Sequence, residues 1–300
     1  MRLQQIAVRL WRVAVWCLVL IVSPIATAQD ARQPENWKWN IPDGPRIPGV
    51  RHGEIDSPSM KRVVGYNILL PTNYDRDSTQ RYSVVYYLHG ASGTEATAGD
   101  LAWLVKEELA AGRIGDVIYV FPNGGSYSRY RDWPAANVKA ETLLMRELIP
   151  HVDATYRTLA RREGRAACGF SMGGDGALRL AMKHPETFCA VGTLAAALDW
   201  EVAKDETDSV YHWSRKHADK LADRLPLLLI VGKNDGLHRS HIPFIEHLRE
   251  LKFQPEFVVH DDIGHNLGEL KRLSGSAMIQ MLAKHYAPAT TKAENAKPVP

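Results

Sequence analysis

Cysteine is scarce in this chain: Cys17, Cys168 and Cys189 are the only three in 300 residues. Three cysteines build no disulfide framework, so the fold must rest on a buried apolar core. A chain of this length that is 45% hydrophobic can supply one. A charge excess is missing too, with 37 Lys and Arg against 34 Asp and Glu, a formal +3. Arg2, Arg9 and Arg12 account for it, because residues 1–28 hold no acid. The remainder is neutral, so no basic face is implied and nucleic acid is excluded as a partner. The twelve histidines form no cluster with metal-ligand spacing, so no metal is expected. No apolar run reaches the ~20 residues that span a bilayer. No internal repeat is present.

What is there begins with a leader. The three arginines precede an apolar run from Val13 to Val22, and Ala26-Thr27-Ala28 offers small residues where a signal peptidase reads. The pattern predicts a signal peptide over 1–28, cleaved after Ala28, and a secreted or periplasmic product with no stable membrane anchor. Cys17 lacks a lipoprotein pattern before it. Residues 29–50, with Trp37, Trp39 and several prolines, read as an extended arm, perched ahead of a domain over 51–287. Residues 288–300 are rich in Pro, Ala, Thr and Lys and are expected to be disordered. Cys168 and Cys189 fall in expected buried strands, where a free thiol acts as a small hydrophobe. An oxidising compartment leaves a bridge between them open. No pattern specifies an oligomeric state.

From Val63 onward strands alternate with helices. Strands are expected at Val63–Leu70, Tyr82–Leu88, Asp116–Phe121, Arg165–Phe170, Phe188–Ala196, Leu225–Val231 and Glu256–His260. Helices are expected at 100–111, 137–156, 172–184, 210–224, 240–251 and 267–286. Runs such as Ser83-Val84-Val85-Tyr86-Tyr87-Leu88 are apolar on both faces, as in a parallel sheet covered on both sides. The alternation argues for a single α/β domain with a mostly parallel central sheet and helices on both faces. Sites in such sheets form at the carboxyl ends of strands.

At those ends stands Gly169-Phe170-Ser171-Met172-Gly173, a G-x-S-x-G nucleophile elbow with an apolar strand before it and a helix after it. The glycines let strand and helix approach around a strained turn. A serine hydroxyl needs a base to take its proton, and the base needs an acid to orient it. The order Ser, acid, His of the α/β-hydrolase fold is met by Ser171, Asp235 after Leu225–Val231, and His265 after Glu256–His260. Asp199 rivals Asp235 as the acid, while Asp261 and Asp262 stand too near His265 in sequence to orient it comfortably. His260 rivals His265, but it ends a strand rather than sitting in the following turn. His238, His241 and His247 read as solvated helix residues.

An oxyanion needs donors. One is the Met172 backbone N–H, and the second is assigned to Ala91, with Gly90 as the alternative, in the loop His89-Gly90-Ala91-Ser92-Gly93. His89 reads as structural. Tyr127, Trp133 and Trp200 lie on loops after strands and are candidates to contact substrate.

With those residues in place, the chain resembles the esterase family that includes feruloyl and acetylxylan esterases, S-formylglutathione hydrolase and the mycobacterial mycolyltransferases. The resemblance spans roughly residues 50–286. Besides the elbow with Gly174, it rests on Asn67-Ile68-Leu69-Leu70-Pro71 with Tyr74, Tyr87-Leu88-His89-Gly90, Phe121-Pro122-Asn123-Gly124-Gly125, and Glu147-Leu148-Ile149-Pro150 with Tyr156-Arg157. It implies hydrolysis of a carboxylic ester through an acyl-serine intermediate, without a cofactor. The leader favours an external ester, such as feruloyl or acetyl groups on plant polysaccharide. An acyltransferase or a general short-chain esterase would use the same residues. A serine peptidase of this fold often carries a large gating domain, for which residues 29–60 leave no room. A non-catalytic binding protein would show a broken site.

Overall fold

Strand formation here follows from β-branched and aromatic residues in short runs bounded by turns. In the computed structural model, which describes residues 34–44, 47–198 and 207–291, those runs pair into one eight-stranded sheet. Its strands are β1 (Val50–Ser57), β2 (Arg62–Leu69), β3 (Ser83–Leu88), β4 (Val117–Pro122), β5 (Arg165–Phe170), β6 (Val191–Leu194), β7 (Leu227–Gly232) and β8 (Glu256–His260). Their spatial order is β1-β2-β4-β3-β5-β6-β7-β8. Only β2 runs against its neighbours, and the contacts from β4 across to β8 are all parallel. This is the α/β-hydrolase arrangement.

The central strands β3, β4 and β7 are buried at every position, whereas the edge strands β1 and β8 are partly exposed. Burial on both faces needs two layers of helix. Helices α1 (Gly99–Ala110) and α6 (Leu267–His285) pack on each other and on one face. There Leu101, Val105, Met278, Ile279 and Leu282 close over Val85, Tyr87, Tyr119, Cys168 and Ile230. The other face carries the helical segment 140–155, designated α2, together with α3 (Met172–Lys183), α4 (Val210–Lys216) and α5 (His238–Glu250). Leu143, Leu144, Leu148 and Val152, the stripe expected of α2, are all buried.

Several boundaries differ from expectation for local reasons. β1 was not expected, because Val50-Arg51-His52-Gly53-Glu54 has no apolar run; the hairpin partner β2 organises it in full register. The strand expected over Phe188–Ala196 shortens to Val191–Leu194, since Ala195 takes φ 47. The helix expected over 210–224 breaks at His217, whose Nδ1 bonds the Met182 carbonyl at 2.8 Å. The expected disorder from 288 is corrected in part: Thr290 and Thr291 pair antiparallel with Arg81 and Gln80. The signal segment and Cys17 lie outside the described residues, as do 292–300.

The chain divides after Trp37, and in the first unit the described structure is a 3-10 turn at Pro34–Asn36. In the second unit the arm is tied down: Trp39 is buried beneath the Arg62 guanidinium, and Lys38 offers its carbonyl to Asn123 at 2.9 Å. Cys168 and Cys189 are both free and buried; burial raises both thiol pKa values, that of Cys189 to about 11. No helix among the described residues is long and apolar enough to cross a membrane.

Candidate active site

Parallel register brings the carboxyl ends of β3, β5, β6, β7 and β8 to one edge, with Leu88 beside Gly169, Phe170 beside Leu194 and Gly232 beside His260. The loops that follow them build the site.

The elbow owes its shape to two glycines. A Cβ on Gly169 would stand 2.3 Å from the Gly173 carbonyl oxygen, and one on Gly173 would stand 1.9 Å from that of Leu88. No side chain fits at either position. Between them Ser171 adopts φ 53 and ψ −116, a conformation that costs on the order of 1–3 kcal/mol. The strain is held by β6 and its following turn: Ser171 N–H donates to the Leu194 carbonyl at 2.9 Å, and Ala197 N–H donates to that of Ser171 at 2.9 Å. The hydroxyl thus stands above the N-terminus of α3, whose dipole favours negative charge.

Two loops supply its partners. Gly232 has no Cβ because one would meet the Ile263 carbonyl at 2.2 Å. The close approach lets Asn234 N–H donate to Ile263 and Lys233 N–H donate to His260, at 2.9 and 2.8 Å. The loop after β7 and the turn after β8 are therefore laced together. His265 follows this lacing and precedes Asn266, whose side chain caps α6 through Glu269 N–H. Its Nε2 lies 2.9 Å from Ser171 Oγ, and its Nδ1 lies 2.7 Å from Asp235 Oδ2. The second Asp235 oxygen accepts the Leu237 N–H at 2.8 Å. The Asp235 side chain is 1% exposed, that of His265 is 40% exposed, and the Ser171 residue is 9% exposed. The acid is thus shielded from water while the base and the hydroxyl face a cleft. Phe170 stacks on the His265 ring with centroids 4.9 Å apart, a contact the sequence reading missed.

Two rivals go elsewhere. His260 Nε2 bonds Ser274 Oγ at 2.6 Å, and Asp261 pairs with Lys233 at 2.9 Å. His241 is buried, with Nδ1 on the Leu237 carbonyl, and His247 bonds Ser214; neither is the solvated residue expected. Asp199 and Trp200 lie outside the described residues.

Met172 opens α3, and its Sδ receives the Arg129 N–H. Ala91 is exposed in the turn after β3, next to Gly90, where an added Cβ would stand 2.9 Å from the Phe170 ring. Beneath that turn His89 is fully buried, which lowers its pKa to about 4. Its Nε2 accepts the Gly124 N–H at 3.0 Å, so its Nδ1 donates to the Gly90 carbonyl at 2.8 Å. His89 is structural.

An open cleft of ≈ 780 Å³ reaches Ser171 and His265, and its wall includes Arg129, Lys233, Gly236, Leu237, His238 and Arg239. Tyr127 and Trp133 are not among its lining residues. Tyr127 bonds Ser92, and the Trp133 indole donates to the Ser128 carbonyl at 2.7 Å, so both tie their loops together. Among the described residues the wall carries Arg129, Lys233 and Arg239. The signal was present in Arg129, Lys233 and Arg239, but each reads in sequence as an ordinary surface charge.

The family model described as "Putative esterase" matches residues 57–266. The chain belongs to this esterase family. Esterase Rv1288 of Mycobacterium tuberculosis is 34% identical over 153 residues, covering 50% of this chain and 32% of that protein. The diacylglycerol acyltransferase/mycolyltransferase Ag85A of Mycobacterium leprae is 39% identical over 169 residues, 52% of this chain and 46% of the relative. An endo-1,4-beta-xylanase/feruloyl esterase of Xylanibacter ruminicola is 28% identical over 163 residues, 49% of this chain and 22% of the relative. The chain thus spans less than half the length of these curated relatives. Among solved structures, a ferulic acid esterase superposes with TM-score 0.72 at 23% identity, over 79% of this chain and 98% of that one. The S-formylglutathione hydrolase of Staphylococcus aureus gives 0.65 at 18% identity, over 78% and 98%. These two likenesses establish the fold.

Proposed function

We propose that this esterase-family member is a secreted serine carboxylic-ester hydrolase. The observation that carries the reading is the unbroken run of hydrogen bonds from Ser171 through His265 to Asp235, on an elbow strained at the serine. In the reaction His265 Nε2 takes the Ser171 proton as Oγ attacks the ester carbonyl. The Met172 and Ala91 N–H groups receive the oxyanion, and Asp235 stabilises the imidazolium. His265 then protonates the leaving alcohol. Water, activated by the same imidazole, releases the acid from Ser171. No step needs a metal or cofactor. The leader supports secretion, with cleavage after Ala28. The endo-1,4-beta-xylanase/feruloyl esterase relative supports feruloyl esters of plant polysaccharide within the proposed class of feruloyl or acetyl esters.

Purified parent and Ser171→Ala are compared on 4-nitrophenyl acetate, butyrate and octanoate, on methyl ferulate and on acetylated xylan. The parent is expected to cleave methyl ferulate or acetylxylan and the variant none of the panel. Equal turnover by both proteins would remove Ser171 from its role. Turnover of nitrophenyl esters alone would retain the esterase and discard the polysaccharide. The mycolyltransferase relative supports a second reading, acyl transfer to a sugar hydroxyl. Acylated sugar formed in excess of free acid would favour it.

A further inference from the structure

An amide serves an oxyanion only where its peptide is held still. In the turn that carries Ala91 the holding is traceable. Ser92 N–H donates to the Ser126 carbonyl at 2.7 Å, and Gly93 N–H donates to that of Gly90 at 3.1 Å. His89 grips the same turn from below, with Nδ1 on the Gly90 carbonyl and Nε2 on the Gly124 N–H. Gly124 follows the fully buried Asn123, and at Asn123 a second support enters.

That support is Glu95, four positions beyond Ala91. It opens a 3-10 turn at Glu95–Ala98, capped by Thr94, whose Oγ1 accepts the Ala96 N–H at 3.3 Å. Asn67 Nδ2 donates to the Glu95 carbonyl at 3.1 Å, so the backbone is fixed from two directions. The residue is 1% exposed, and burial raises its pKa. Its carboxylate gathers neutral donors: Oε1 accepts the Ile41 N–H at 2.6 Å, and Oε2 accepts from Asn123 Nδ2 at 2.6 Å. Asn123 Nδ2 also donates to the Lys38 carbonyl at 2.9 Å, while Asn123 Oδ1 accepts the Gly125 N–H at 3.0 Å. Every acceptor here faces a donor, and an amide cannot replace the acid. In Glu95→Gln the new NH2 group would stand against either the Ile41 N–H or Asn123 Nδ2. Turning the Asn123 amide to meet it would set Oδ1 against the Lys38 carbonyl and Nδ2 against the Gly125 N–H. Two converging donors are what offset the desolvation of a carboxylate in this place.

We infer that residues 38–41 of the arm are a working part of the oxyanion turn, and that Glu95 is the positioning residue that joins the two. The path runs from the Ile41 N–H through the Glu95 carboxylate, the Asn123 amide, the Gly124 N–H and the His89 ring to the Gly90 carbonyl. Glu95 touches no reacting atom; it acts through the peptide that presents the Ala91 N–H. The inference rests on the esterase reading above and adds a support to its mechanism.

The test measures Glu95→Gln against the parent on 4-nitrophenyl butyrate, with the fold checked by circular dichroism. A misaimed donor is felt in the transition state, so kcat is expected to fall about tenfold with KM within about twofold of the parent. Phenylboronic acid adds to Ser171 Oγ, whose proton passes to His265, and the tetrahedral adduct fills the oxyanion position. Its affinity is expected to fall by a similar factor. A latch that merely stabilises the fold would lower the thermal midpoint and leave kcat and boronate affinity unchanged; that result overturns the inference while leaving the esterase intact. Reciprocity supplies a test on the parent alone, which stands even where the variant fails to fold. An arm that steadies the turn is itself steadied when the oxyanion position is filled. Saturating phenylboronic acid is therefore expected to slow hydrogen exchange of the Ile41 N–H severalfold, and unchanged exchange with the boronate bound also overturns the inference. Should the parent neither turn over esters nor bind the boronate, the esterase reading falls separately. Exchange across residues 90–93 in Glu95→Gln then decides: faster exchange upholds the joining of arm and turn, and parent-like exchange ends it.

Discussion

Replacing Asp235 by Asn is expected to remove nearly all ester turnover while keeping the fold. The new side chain has the same shape in a site that is 1% exposed. Its orientation is dictated, because one position must accept the Leu237 N–H at 2.8 Å. The amide oxygen takes that place, since an amide nitrogen there would set donor against donor. The nitrogen is then left facing His265 Nδ1 at 2.7 Å, and it can only donate. The imidazole must answer with a lone pair on Nδ1, which moves its proton to Nε2. That proton points at Ser171 Oγ, 2.9 Å away, so the ring donates to the hydroxyl whose proton it should accept. Wrong-tautomer substitutions of this kind cost roughly 10³- to 10⁴-fold in kcat. This corresponds to about 4 to 5.5 kcal/mol of barrier. The assay is kcat/KM on 4-nitrophenyl butyrate at neutral pH, with circular dichroism and the thermal midpoint checked beside it. A folded Asp235→Asn variant within about tenfold of the parent would refute the reasoning, and Asp199→Asn would become the next variant to measure.

Gly173→Ala is expected to abolish the soluble native fold or to destabilise it by more than about 3 kcal/mol, because the added Cβ meets the Leu88 carbonyl at 1.9 Å. Urea denaturation of any soluble fraction measures it, and a parent-like midpoint would dismiss the close approach. His89 is expected to stay neutral in the native state until pH falls to about 4. Its depressed folded value means the unfolded chain binds a proton first, so stability is full above about 6.5 and declines as pH falls toward 4, by up to ~3 kcal/mol. NMR of the His89 ring checks this; titration near pH 6.5 in the folded protein would contradict its burial.

The alternation of strands and helices was legible because it depends on local composition. Arg165–Phe170 and Glu256–His260 form strands with the expected bounds, and Val117–Pro122 departs from its expected bounds by a single residue at each end. The elbow was legible for a related reason: a strand, a strained serine and a helix are contiguous, and glycine is what the turn requires. By contrast β1 was hidden, since its pairing with β2 rather than its own hydrophobicity makes it a strand. The short strand at Thr290–Thr291 is likewise a gift of its partner at Gln80–Arg81. Tyr127 and Trp133 are candidates by their place on loops after strands, but aromatic identity says nothing of direction, and the two side chains bond Ser92 and the Ser128 carbonyl.

The sequence by itself determined the sheet's apolar strands, the turn that exposes Ser171 and a short set of acids and bases at strand ends. The tertiary structure brings Ser171, His265 and Asp235 within hydrogen-bond distance of one another. Ser171 and His265 stand 94 positions apart, and their contact depends on parallel register across β5 to β8, which no local pattern encodes. The same register sends His260 to Ser274 and Asp261 to Lys233, removing two rivals. It also gathers Arg129, Lys233 and Arg239 from distant loops onto one wall. A charge acquires direction only when the backbone beside it is fixed, and here the carbonyl of the buried Tyr130, next to Arg129, accepts from the buried Arg179, far away in the chain.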